Sequence, residues 1–295
     1  MSVEIKKIAN NFLHELEERK KRTVRTVAHY NLYLQRFINW LKETGITDFE
    51  QIDSKVLENY KSYLANYRDP IRKTFLNKST LNYYLIAVRG LLEYAMRFEQ
   101  KKVHYNDVKL AKISKEPLSF IKKDELVLLL EAPNEMKQEK IITLRDKAIL
   151  EILFCTGFKV SEIAQAQREQ IKEFKKDKLF FCKQKNRIEV QLSYQATAAL
   201  QKYLMHRKDK NKFLFIGHDN AAIGRKEQKP LSARSVERMI ERYARYSGIK
   251  KRVTPQIIRN TYLVNKFIQG EDPSVLKEEL GFKNINTVKE YYRKF

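Results

Sequence analysis

Apolar residues recur every three or four positions through the first hundred residues, with polar and charged residues between them. Four sets show this spacing: Ile5, Ile8, Phe12, Leu13 and Leu16; Val27, Tyr30, Leu34, Phe37, Ile38 and Leu41; Val56, Leu57, Tyr60 and Leu64; and Leu81, Tyr84, Leu85, Val88, Leu91, Leu92 and Ala95. Each set forms one apolar stripe along a helix. The pattern predicts that residues 1–102 form a bundle of four amphipathic helices, the fourth capped by Ser79 or Thr80.

The pattern changes twice after the bundle. Residues 103–117 have no periodicity and carry scattered lysines, which predicts a flexible interdomain linker. From residue 118 onward, helical spacing predicts helices at 122–131, 142–155, 160–168, 194–206 and 232–247. Between them, alternating apolar residues from Lys178 to Leu192 predict a β-hairpin, with Leu179, Phe181 and Lys183 on one face and the turn at Lys185-Asn186. Residues 118–295 are therefore expected to form a second, α+β domain.

Helix signals divide the last forty residues into three short helices. Thr254-Pro255 opens the first, and Gly270 closes it. Asp272-Pro273 opens the second and Gly281 ends it, whereas Asn286 is the predicted cap of the third.

The charge of the chain indicates the class of partner. The 295 residues carry a formal net charge of +23, with a pI near 9.8. Such a charge is self-repelling unless an anion offsets it, and lysines and arginines gain affinity for nucleic acid by releasing phosphate counterions. A solvated lysine-rich surface is the alternative. The sequence contains no run of 18 apolar residues, so it predicts no membrane span, and the N-terminus lacks the apolar core of a signal peptide.

The cysteines and histidines predict no metal or disulfide chemistry. Cys155 and Cys182 are too few for a disulfide framework, and no Cys/His cluster has the spacing of zinc ligands. We therefore expect a cytoplasmic protein without metal or cofactor. His218 lies in a segment without any motif and is interpreted as a loop histidine.

Several segments of the second domain together resemble the tyrosine recombinase (phage integrase) family. Leu144 to Leu150 followed by Thr156 to Ile163 resembles the segment with the family's first catalytic arginine. Thr254 to Thr261 resembles the segment with its His-x-x-Arg motif. Leu280-Gly281-Phe282, Ile285-Asn286-Thr287 and Tyr291 resemble the segment with its nucleophilic tyrosine. The resemblance covers nearly the whole chain and implies a mainly α fold: an N-terminal helical-bundle (SAM-like) core-binding domain and a catalytic-type α+β domain.

The resemblance also implies roles for individual residues. In the family, a tyrosine attacks a DNA phosphodiester and forms a 3′-phosphotyrosine, assisted by arginines, His or Lys residues and a lysine on a hairpin. By position, Tyr291 is the nucleophile, Arg259 the second arginine and Lys183 the hairpin lysine that protonates the leaving oxygen. Glu162 corresponds to the acidic residue that braces the first arginine. Only four residues follow Tyr291, so we expect no long C-terminal tail for exchange between copies that associate on DNA.

Three positions depart from the family pattern. Lys159 replaces the first arginine and keeps the charge without the planar fork. Gln256 replaces the histidine of His-x-x-Arg and cannot exchange a proton near neutral pH. Phe282 replaces a His or Trp and has no donor. Alternatively, Lys159, Lys183 and Arg259 are ordinary solvated cations and Tyr291 is a packing residue.

The bundle has its own candidate DNA contacts. Short polar and basic side chains at helix N-termini suit a DNA groove or phosphate: Arg25 and Thr26 on the second helix, and Lys78, Thr80, Asn82 and Tyr83 on the fourth. They could equally be simple capping residues.

Three functions remain open. The first is a non-cleaving, sequence-specific binder of double-stranded DNA that acts as a repressor or accessory factor of a phage or mobile element. The second is an active, divergent recombinase. The third is an RNA-binding or purely structural helical protein. The fold alone does not separate the first two.

Overall fold

A computed structural model describes residues 3–70, 73–102, 105–113, 117–175, 178–183, 188–218 and 229–294. The chain divides into two compact units, Met1–Lys115 and Glu116–Phe295.

The N-terminal unit contains the four predicted helices. They are α1 (Val3–Glu18), α2 (Val24–Glu43), α3 (Ser54–Asn66) and α4 (Lys78–Phe98), with single 3-10 turns at Phe49–Gln51 and Tyr105–Asp107. Most of the predicted apolar stripe residues are buried in one core, in which Trp40, Phe37 and Tyr60 pack ring against ring. The predicted cap of α4 is wrong: Asn77 caps the helix, and its side chain accepts from the backbone N–H of Thr80 at 2.7 Å.

Part of the predicted linker packs on this bundle. Val108 is buried in the bundle core, and Leu110 packs against the same core. The side chain of Asn82 donates to the carbonyl of Ala111 at 3.0 Å and accepts from its N–H at 2.7 Å, while Arg89 donates to the carbonyl of Val108. These bonds satisfy the backbone of an irregular segment, so the structure corrects the expectation of a flexible strap for residues 105–111.

The C-terminal unit combines helices with a small sheet. The helices that the structure describes here are α5 (Lys123–Glu135), α6 (Lys140–Thr156), α7 (Val160–Ala164), α8 (Tyr194–His206), α9 (Ala233–Tyr246), α10 (Pro255–Ile268), α11 (Pro273–Leu280) and α12 (Ile285–Lys294). The strands β1 (Ile171–Lys175), β2 (Lys178–Lys183) and β3 (Ile188–Gln191) form an antiparallel sheet in the order β1-β2-β3. The fold is therefore mainly helical with one small sheet, as predicted.

Two local predictions in this unit need correction. The helix predicted at 160–168 is shorter in the structure: α7 ends at Ala164, and a 3-10 turn follows at Arg168–Gln170. Strand β1, which the sequence does not predict, comes next and pairs with β2, with Ile171 opposite Phe181. Asn284, not Asn286, caps the last helix. The side-chain oxygen of Asn284 accepts from the backbone N–H of Asn286 at 2.9 Å. The predicted turn at Lys185-Asn186 lies outside the described residues.

Two apolar clusters position the site described next. Helix α6 runs through the larger cluster, with Ile149, Leu150 and Ile152 fully buried. A smaller cluster joins α10, α11 and α12, and Phe282 and Tyr291 pack against it. In the described part of the chain, no helix is long and apolar enough to cross a membrane, and no group of three His, Cys, Asp or Glu residues could hold a metal ion.

Candidate active site

Arg259 joins the ends of two helices to a third. It lies on α10, a helix that Thr254 caps by accepting from the N–H of Ile257 at 3.3 Å. Its guanidinium donates to the carbonyl of Gly157, after the last turn of α6, at 2.5 Å and to the carbonyl of Leu280, at the end of α11, at 3.1 Å. These two bonds satisfy carbonyls that a helix terminus leaves without partners. Arg259 is thus fixed from both sides and is 4% exposed.

An open cleft of about 410 Å³ lies beside this arginine. Its polar lining includes Lys159, Arg252, Gln256, Arg259, Glu237 and Glu241. Arg252 donates to Glu241 at 2.8 and 3.0 Å and thereby holds the pKa of that carboxyl below its usual value. Because Glu241 already has this partner, the basic groups of the cleft remain the natural contacts for an added anion.

Lys159 is presented by the loop between α6 and α7. Gly157 ends α6 in the left-handed conformation, with φ of 59°, and Lys159 follows as the exposed residue before α7. The carboxylate of Glu162 accepts from the backbone N–H of Lys159 at 2.8 Å. Glu162 therefore braces the backbone at the position of the first arginine. Burial lowers the pKa of the Arg259 guanidinium, and the negative charge of Glu162 opposes that shift in part.

Tyr291 reaches the same site from α12. Its hydroxyl oxygen accepts a long hydrogen bond, 3.4 Å, from the side-chain amide of Gln256. The same amide nitrogen donates to Oδ1 of Asn260 at 3.0 Å. The structure therefore connects Tyr291 and Gln256, two of the predicted site residues, directly.

Phe282 covers a face of the arginine. The guanidinium carbon of Arg259 lies 4.8 Å from the centroid of the Phe282 ring, and the rings of Phe282 and Tyr291 are 6.2 Å apart. The contact is a cation–π interaction, which stabilises the arginine but adds no hydrogen-bond donor to the site.

Lys183 is the last residue of β2, and its backbone pairs with Ile188 of β3. The role of hairpin lysine that the resemblance implies for it stays a prediction.

The candidate DNA contacts of the bundle differ in accessibility. Arg25, Lys78 and Tyr83 are exposed, and Thr26 and Thr80 are partly exposed. Asn82 is only 8% exposed, and both ends of its amide bond to Ala111. Asn82 therefore fixes the segment after α4, and its buried, fully bonded amide contradicts the prediction that it reads bases.

Sequence reasoning missed two residues of the site. Asn260 follows Gln256 by four residues, a spacing that places both on one face of α10 and could have indicated their contact. Arg252 lies outside the motifs, and only the fold brings it to the cleft. His218 is in a loop, as interpreted, but it is buried: its Nε2 lies 2.9 Å from the hydroxyl of Tyr203.

Comparison with known proteins identifies this architecture. Residues 119–295 match the model of the phage integrase family, and residues 9–99 match its N-terminal SAM-like domain. The first match covers more than half of the chain, so the protein belongs to the phage integrase family, as the motifs predicted.

Relatives and solved structures match along almost the whole chain. Tyrosine recombinase XerC of Thermodesulfovibrio yellowstonii is 27% identical over 288 residues, which cover 95% of this chain and 89% of that protein. The XerH site-specific recombinase bound to difH substrate superposes with a TM-score of 0.72 at 18% identity, over 96% of this chain and 81% of that one. The Tn1549 transposon integrase in complex with transposon right end DNA also gives 0.72, at 15% identity, over 97% and 94%. These similarities show the shared fold.

Proposed function

We propose that this protein binds double-stranded DNA in a sequence-specific manner and holds a backbone phosphate in the cleft beside Arg259, with little or no strand cleavage. The observation that carries the proposal is that Lys159 and Arg259 line one cleft together with Gln256, whose side chain contacts the Tyr291 hydroxyl. Phe282 packs on Arg259, so neither Gln256 nor Phe282 supplies the ring donor of the family pattern. The net charge of +23 and the DNA-bound structures of related fold support DNA as the partner.

The arginine suits a phosphate. Arg259 has five N–H groups. Among the described residues, the carbonyls of Gly157 and Leu280 accept hydrogen bonds from two of them. These bonds fix the guanidinium plane before any ligand arrives, so binding costs little side-chain ordering. The exposed ammonium of Lys159 adds a second positive charge to the cleft.

Cleavage needs more than a bound phosphate. The phosphorane transition state carries extra charge on its non-bridging oxygens, and loss of one fixed donor typically lowers the rate by roughly 10²–10³, about 3–4 kcal/mol. Three positions here lack the family's donor: Lys159, Gln256 and Phe282. Because the effects of residues in one site are not fully additive, we take their combined increase in the barrier to be on the order of 8 kcal/mol, less than three times the loss for one donor. This favours binding over turnover.

The biological role that fits such a protein is regulation. A recombinase fold that stays on its site without cutting would occlude a promoter or assist other proteins on the DNA. We therefore propose a repressor or accessory factor of a phage or mobile element.

The alternative, an active divergent recombinase, is favoured by one observation. The hydroxyl of Tyr291 lies within 3.4 Å of Gln256, which lines the cleft together with Arg259, a position that suits a nucleophile. Cleavage would then proceed through a 3′-phosphotyrosine with Lys159 in place of an arginine.

One experiment separates the two functions. Duplexes are selected from a random library by the wild-type protein, nicked, and incubated with wild type and Tyr291→Phe. If the protein only binds, both proteins shift the duplex with the same dissociation constant, and neither forms a covalent adduct on a denaturing gel. An adduct with wild type that disappears in Tyr291→Phe establishes the recombinase. Failure of wild type to select any duplex contradicts DNA binding itself.

A further inference from the structure

A chain of side-chain amides runs from the first residues of the C-terminal unit to the hydroxyl of Tyr291. It begins at the backbone carbonyl of Ser119, which accepts from Nδ2 of Asn260 at 2.9 Å. It continues from Oδ1 of Asn260 to Nε2 of Gln256 at 3.0 Å, and from there to the Tyr291 hydroxyl at 3.4 Å. Asn260 itself is buried, 7% exposed.

The direction of each bond in this chain follows from its first acceptor. A backbone carbonyl can only accept, so the Asn260 group facing Ser119 is its NH₂. The other end of the Asn260 amide is then its oxygen, which also only accepts. Gln256 must therefore turn its NH₂ toward Asn260. The same nitrogen contacts Tyr291, so Gln256 offers Tyr291 a donor rather than a carbonyl oxygen.

The segment around Ser119 is itself held in place. The N–H of Ile121 donates to the hydroxyl oxygen of Thr261, the residue after Asn260, at 2.9 Å. Lys251 donates to the carbonyl of Phe120 at 2.7 Å and to the carboxylate of Glu125 at 2.7 Å. The Ser119 carbonyl, which orients the row of side-chain amides, therefore belongs to an irregular backbone segment that is held against α10.

We propose that Asn260 is a positioning residue that sets the orientation of the Gln256 amide and, through it, the hydrogen bonding of the Tyr291 hydroxyl. A donor facing the phenolic oxygen cannot accept its proton, so this arrangement offers no general base to Tyr291. The inference deepens the proposed function and rests on it for its biological meaning, since it gives a reason why a correctly placed tyrosine would not cleave.

The test uses the full-length protein without DNA, so it is independent of whether the proposed function holds. Meta-fluorotyrosine is incorporated at position 291, where it keeps the hydroxyl, and its fluorine NMR signal reports the hydrogen bonding of that hydroxyl. The signal is recorded in wild type, Asn260→Leu, Gln256→Leu and the double variant. Asn265→Leu, the same change on the same helix, is the control, and cooperative thermal unfolding is measured for each.

We expect Asn260→Leu and Gln256→Leu each to move the fluorine signal and Asn265→Leu to leave it in place. Because Asn260 acts through Gln256, adding Asn260→Leu to Gln256→Leu should cause no further shift. Asn260→Ser, too short to reach both partners, should shift the signal in the same direction as Asn260→Leu and serves if that variant does not fold. An unmoved signal in the folded Asn260 variants, or an equal shift with and without Gln256, would overturn the proposal.

Discussion

The carbonyl oxygen of Gly157 accepts a hydrogen bond from the guanidinium of Arg259 at 2.5 Å, between residues 102 positions apart in the sequence. Gly157 can do so because it ends α6 in the left-handed conformation, with φ of 59°. A Cβ atom at this position would overlap the ring of Tyr262, and that ring is fixed by a 2.8 Å hydrogen bond from its hydroxyl to Glu279. The position of Arg259 therefore depends on a glycine at 157.

Gly157→Ala should lower the free energy of unfolding by about 2–5 kcal/mol, the sum of a left-handed backbone penalty and overpacking against Tyr262. Gly270→Ala is the matched control, because Gly270 also has a positive φ, 78°, but nothing lies within 4 Å of its Cβ position. That control should lose only about 1–2 kcal/mol. Urea denaturation of both variants measures the difference, and equal losses would show that Tyr262 does not restrict the site.

Lys159→Ala should weaken DNA binding without changing stability, because the side chain is exposed and faces the cleft. Loss of one phosphate contact should reduce the slope of log affinity against log salt by about 1. Lys140→Ala is the control, since Lys140 begins α6 and Lys159 follows its end, roughly 25 Å away along a 17-residue helix.

Fluorescence anisotropy at several salt concentrations gives the slopes of the two variants and of wild type. Lys140→Ala should keep the wild-type slope. Identical slopes for all three proteins would remove Lys159 from the proposed phosphate site.

The stability of the C-terminal unit should depend on pH through His218. Burial, assisted by the charges of Arg145 and Arg207, lowers the pKa of His218 from 6.5 to about 4. The folded state therefore favours the neutral imidazole, which contacts Tyr203. This stabilisation is fully present above pH 6.5 and is lost as the pH falls toward 4, with a change of about 3 kcal/mol.

His218→Gln removes this titration, so the difference in unfolding free energy between wild type and variant should shrink as the pH falls from 6.5 to 4. His206→Gln, at an exposed histidine, should run parallel to wild type. Denaturant unfolding at a series of pH values provides the curves. A constant difference between wild type and His218→Gln would contradict the lowered pKa.

The sequence predicted elements with long periodic patterns and failed where tertiary contacts decide. Helix α4 was found because seven apolar residues repeat over several turns, but its cap moved to Asn77, since any of several neighbouring polar residues could cap it. The sequence does not predict strand β1 because its only two apolar residues, Ile171 and Phe174, are three positions apart and so lack the period of two of a half-buried strand. Its pairing with β2 supplies the stability that its own pattern does not indicate.

The candidate site shows the same division. Position in the motifs was enough to select Gln256, Arg259 and Tyr291, which the fold does bring together at one site. The sequence could not indicate that Asn82 bonds to Ala111, because that partner lies in a segment without periodicity. Nor could it indicate the Asn260–Ser119 contact, which spans 141 residues.

Restoring the family residues should recover some cleavage, and Asn260 should decide how much. In Lys159→Arg/Gln256→His/Phe282→His, the arginine fork and two ring donors return around Tyr291 and Arg259. The oxygen of Asn260 would accept from one N–H of the imidazole introduced by Gln256→His and leave the other ring nitrogen unprotonated, facing the Tyr291 hydroxyl. That nitrogen can take the phenolic proton, which an amide N–H cannot.

We therefore expect a weak covalent adduct with nicked duplex from the triple variant, and its loss when Tyr291→Phe or Asn260→Leu is added. An adduct that survives Asn260→Leu would show that the imidazole finds its orientation without Asn260.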